Sequence, residues 1–67
     1  MAKSKLDEYH LSSAPFLGLK WQDKRDGQPF VYERWFPSAH DLNIYLCDTF
    51  GVRVMRKVFR ENVEMLP

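Results

Sequence analysis

Residues 16–36 read FLGLKWQDKRDGQPFVYERWF, two runs of strand formers separated by Asp26-Gly27. Asp-Gly suits a type I′ turn, in which both central residues need φ above zero. Glycine adopts such angles freely, and aspartate does so more readily than most residues. The stretch therefore reads as a β-hairpin. With Asp26 and Gly27 as the loop, Arg25 faces Gln28, and counting outward pairs Trp21 with Tyr32, Leu19 with Arg34 and Leu17 with Phe36. One face then collects Leu17, Leu19, Trp21, Tyr32 and Phe36, with Arg34 as its misfit. The other face sets Lys20 opposite Glu33, Gln22 opposite Val31 and Gly18 opposite Trp35. A slip of one residue would exchange the two faces.

Downstream of the hairpin, Pro37-Ser38 marks the start of a helix. Ser38 can cap the amides of the first turn, and Asp41 three residues later supplies the capping-box acid at the positive end of the helix dipole. The helix should run to about Phe50, with Ala39, Leu42, Tyr45, Leu46 and Phe50 on one side against the hairpin's apolar face. Gly51 stands where helices commonly end in a left-handed residue.

Two periods fit residues 52–67. As a strand, Val52, Val54 and Val58 share a face, and the valines favour extended backbone. As a helix, Arg53, Arg56, Lys57, Arg60, Glu61 and Glu64 fall on one side and Val52, Met55, Val58, Phe59, Val63 and Leu66 on the other, a cleaner separation. A helix beginning directly after Gly51 lacks a side-chain cap, because neither Val52 nor Arg53 can accept its amide hydrogens. That deficit favours the strand. The expected fold class is thus a small α+β domain, a hairpin and third strand packed on one helix (ββαβ), with ββαα as the alternative. Residues 1–14 read as an N-terminal tail that is at most partly ordered, Ser4 with Asp7 making only a weak capping box for a helical turn, and residues 15–67 as the single domain.

A chain of 67 residues buries only about 60% of the surface its unfolded form exposes. Its 15% aromatic content offsets that deficit, since each buried ring removes on the order of 150–250 Å² from water. The single Cys47 cannot form an internal disulfide, and residues 1–14 do not resemble a secretory leader, so a cytoplasmic location is expected. No apolar run approaches the roughly 20 residues that span a bilayer. A net charge of +1 gives no bulk attraction to nucleic acid or anionic lipid.

The residues that could carry chemistry do not assemble into a catalytic set. On the helix His40 and Cys47 share a face, but seven residues place their backbones roughly 10 Å apart, too far for a nucleophile–base hydrogen bond. Cys47 reads as a small buried hydrophobe. One cysteine and two histidines thirty residues apart do not make a zinc site. Gly18, Gly27 and Gly51 are scattered and form no phosphate loop. No enzyme activity, metal or cofactor is expected.

Two surfaces remain. The first is apolar: Trp35 and Val31 on the outer face, with Phe30 near the turn, rimmed by Lys20, Glu33 and Gln22. With Arg53, Arg56 and Lys57 for charge complementarity, it points to a non-catalytic binding module that regulates or inhibits a protein partner, or self-associates. The competing structural reading has Leu6, Tyr9 and Leu11 of the tail fold back over Trp35. The second surface is the basic cluster Arg53, Arg56, Lys57 and Arg60, which supports nucleic-acid binding as the alternative function. The neighbouring acids Asp41, Asp48, Glu61 and Glu64 dilute its field.

Overall fold

The computed structural model describes residues 6–13 and 16–62. Three antiparallel strands, β1 (Tyr9–Ser12), β2 (Leu17–Arg25) and β3 (Gln28–Phe36), form one sheet in that order. Two helices come after them, α1 (Ala39–Thr49) and α2 (Val52–Glu61). The class is α+β, as the sequence implies.

The turn has the geometry its residues dictate, with Asp26 at φ 54° and Gly27 at φ 79°. Every β2–β3 pair from Arg25–Gln28 to Leu17–Phe36 falls in the expected register. Ser38 caps α1 as expected: its Oγ accepts from the Asp41 amide at 3.3 Å and donates to the Asp41 carboxylate at 2.8 Å. At the other end, Gly51 turns the chain at φ 108°, and its amide donates to the carbonyls of Leu46 and Cys47.

The third strand is not the one expected. It comes from residues 9–12 of the segment read as a tail, which pair with β2 as Tyr9–Trp21, His10–Lys20, Leu11–Leu19 and Ser12–Gly18. Leu6 and Leu11 are buried at 3% and 7% exposure. Ser4, where the weak capping box begins, lies outside the described residues, and Leu6, Asp7 and Glu8 are not helical.

The strand expected after Gly51 is a helix instead. The anticipated defect is real, since no side chain caps α2 and its first bond runs from the Met55 amide to the Gly51 carbonyl. A missing cap costs about 1 kcal/mol. Helical spacing puts Val58 fully in the core, with Val54, Met55 and Phe59 packed against it. Burying one such aliphatic side chain stabilises by about 1.5–3 kcal/mol, so packing outweighs the absent cap. The sheet position beside β2 is also already filled by β1.

The core lies between the sheet and the helices. It holds Leu6, Leu11, Leu17, Leu19, Trp21, Phe36, Leu42, Leu46, Phe50 and Val58. Among the described residues no polar side chain is buried. Trp21 anchors the aromatic part, stacked on Tyr32 at 5.2 Å and meeting Phe50 edge-on at 5.6 Å. The misfit Arg34 remains exposed and sets its guanidinium 5.0 Å from the Tyr45 ring centre. No helix among the described residues is long and apolar enough to cross a membrane.

Candidate protein-binding surface

Strand alternation sends Val31, Glu33 and Trp35 away from the helices, and the structure leaves the two apolar residues open. Val31 is 52% and Trp35 51% exposed. The indole is nonetheless seated. A Cβ on Gly18 would stand 2.6 Å from Trp35 Cζ3 and 2.8 Å from Cε3, so the six-membered ring occupies the space that glycine vacates across the ladder. The indole N–H donates to Glu33 Oε1 at 3.3 Å. Lys20 and Gln22, both exposed, stand beside this face.

The described N-terminal anchors Leu6, Tyr9 and Leu11 do not fold over the ring. Leu6 and Leu11 turn into the core on the helix side, and Tyr9 reaches α2. The Tyr9 hydroxyl donates to Glu61 Oε1 at 2.6 Å and accepts from Asn62 Nδ2 at 3.1 Å. Partial burial, and after it the Glu61 hydrogen bond, pushes the Tyr9 phenol from its ordinary 10.0 up to about 12.

Phe30 does not belong with Val31 and Trp35. It pairs with Asp23 on the helix-side face, 4.9 Å from Tyr32, with the Arg25 guanidinium 5.3 Å from its ring centre. Successive strand residues point to opposite faces, so proximity in sequence does not make Phe30 part of the outer patch. Phe16, just ahead of β2 and 53% exposed, is an open ring that sequence reading missed. Also unanticipated is an open groove of about 250 Å³ between the sheet and the C-terminal half of α1, lined by Trp21, Tyr32, Arg34, Tyr45 and Phe50 among others. No local sequence pattern marks it, because its walls come from three elements.

The basic cluster divides. Helical spacing places Arg53, Arg56, Lys57 and Arg60 at intervals that share one face of α2. Arg53, Arg56 and Arg60 are exposed, and no described carboxylate pairs with them. Lys57 is half-buried, its Nζ 5.9 Å from the Tyr9 ring centre. Trp35 lies on the sheet face remote from the helices, so the cluster and the indole do not form one surface.

His40 is exposed, while Cys47 is half-buried and directs its thiol toward Asn43 Oδ1 at 3.4 Å. No group of three or more His, Cys, Asp or Glu able to hold a metal occurs among the described residues. Comparison with protein-family models, curated proteins and solved structures returns no significant match.

Proposed function

We propose that this chain is a non-catalytic binding module that docks a protein partner on the outer face of its sheet, acting as a regulator or inhibitor by occupying that partner. The observation that carries the reading is the Trp35 indole, half exposed yet fixed over Gly18. A ring held in place before binding gives up little conformational freedom when a partner covers it, and tryptophan is among the residues that dominate interface energetics. Val31 extends the apolar area, while Lys20 and Glu33 supply a polar rim of both signs. Phe30 and the α2 arginines lie outside this patch.

The test is affinity capture with wild-type and Trp35→Ala baits in parallel. A partner held through the indole should bind the variant about 30-fold more weakly, equivalent to roughly 2 kcal/mol, with circular dichroism unchanged. Equal recovery of the same protein on both baits, or no specific recovery on either, rejects the reading.

A second reading, nucleic-acid binding through α2, is favoured by the alignment of Arg53, Arg56 and Arg60 on one helical face without carboxylate partners among the described residues. Phosphate contacts release counterions, so log affinity should fall with log salt by about 0.9 per contact. Titration with DNA and RNA at two salt concentrations, repeated with Arg53→Ala plus Arg56→Ala, decides it. Binding that is absent, or indifferent to both salt and substitution, removes this reading.

A further inference from the structure

Strand β3 bonds to β2 along one side and to no described strand along the other. In a hairpin with a two-residue turn, the flanking residues, here Arg25 and Gln28, exchange both backbone hydrogen bonds, and such pairs then alternate along the ladder. Phe30, Tyr32 and Arg34 therefore bond inward to β2. The backbone groups of Pro29, Val31, Glu33 and Trp35 point outward from the edge. Proline has no N–H, so Val31, Glu33 and Trp35 are the edge donors. The opposite edge strand, β1, has only four residues against nine in β3. A long open edge is a template for another strand.

The side chains along β3 indicate which strand fits. A second β3 running antiparallel offers the same groups, and only certain two-fold axes bring outward backbone groups face to face. An axis at Glu33 sets two carboxylates directly opposite, and an axis at Arg34 does the same with two guanidinium groups. Both arrangements are destabilising. An axis at Val31 runs the ladder into Pro29 and the turn. An axis at Tyr32 avoids both like-charge pairs and meets Pro29 only opposite Trp35 of the second copy, after two complete hydrogen-bonded pairs. Val31 then faces Glu33 of the second copy, and Arg34 faces the ring of Phe30, repeating the guanidinium-on-aromatic contact that Arg25 makes with Phe30 in the single chain.

We propose that β3 pairs antiparallel with β3 of a second copy about a two-fold axis at Tyr32, joining two three-stranded sheets into one continuous sheet. The pairing uses the strand's edge rather than its outer face, so it stands apart from the partner docking on Trp35.

Light scattering of the wild-type chain at high micromolar concentration should give twice the monomer mass of 8.0 kDa. Glu33→Pro removes an outward N–H while sparing the bonds to β2, and it should be monomeric with an unchanged circular dichroism spectrum. A monomeric wild type overturns the proposal, as does a folded Glu33→Pro chain that remains dimeric. Disulfide trapping in a Cys47→Ser background reads the register independently of whether the proline variant folds. Residues facing each other at a non-hydrogen-bonded position lie about 4.5 Å apart, within disulfide reach. Tyr32→Cys should cross-link rapidly and Glu33→Cys much more slowly, whereas no link at Tyr32→Cys, or equal rates at both positions, rules out this axis. Trp35→Ala should stay dimeric, which separates failure of the edge from failure of the docking face.

Discussion

Gly18 has no side chain to pack, yet its position is among the most constrained in the sheet, because Trp35 fills the space on one side and Ser12 Oγ lies 2.8 Å from where a Cβ would stand. Gly18→Ala should lift the indole and reduce stability by about 1–2 kcal/mol, within the range for inserting a methyl group into packed surroundings. Chemical denaturation measures the loss, and near-ultraviolet circular dichroism reports the displaced ring. Tyr9 makes a different contribution. Its phenol is pushed from 10.0 to about 12 by partial burial and by Glu61, so the folded state favours the protonated form. The stabilisation is complete below pH 10 and is lost as pH rises from 10 toward 12. Tyr9→Phe should flatten that alkaline decline in thermal stability. A parent chain with no such decline rejects the assignment.

At the level of elements, α2 begins with an uncompensated end. Its first turn contains no acid and no side-chain cap, and Arg53 places a positive charge beside the positive end of the helix dipole. Arg53→Glu should therefore stabilise the fold by about 0.3–1 kcal/mol, measured by urea denaturation, while weakening any phosphate binding by the same helix. A gain in stability with a loss of nucleic-acid affinity would separate the two roles of this position. How legible each element is in the sequence depends on where its determinants lie. The hairpin and α1 are readable because Asp26-Gly27 and Ser38 with Asp41 are local signals, and each assigns the neighbouring residues by simple counting. The strand β1 is not, because four residues are too few for a period, and its partner Leu19 is found only once the sheet forms. Residues 52–61 satisfy both periods, and the choice between them rests on a cap worth less than the burial of Val58. At the candidate site, the outward direction of Trp35 comes from the register. Grouping Phe30 with its sequence neighbour misplaces it, although the same register sets it opposite Asp23 on the other face.

For the whole molecule, residues 6–12 contribute to the core and the sheet. Leu6 and Leu11 are core residues, and each buried leucine contributes about 1.5–3 kcal/mol. Small domains have a total margin on the order of 5 kcal/mol. Residues 15–67 alone should therefore show no cooperative thermal transition, whereas the full chain should melt cooperatively. A sharp melt of the truncated form would return residues 1–14 to the status of a tail. The aromatic architecture has a further consequence. The two tryptophans occupy opposite sides of one sheet, Trp21 at 7% exposure and Trp35 at 51%. The chain thus carries an intrinsic pair of optical probes, one shielded from a soluble fluorescence quencher and the other open to it. Any molecule that settles over the sheet's outer surface should suppress quenching of the open indole while leaving the shielded emission as an internal reference, without a label being attached.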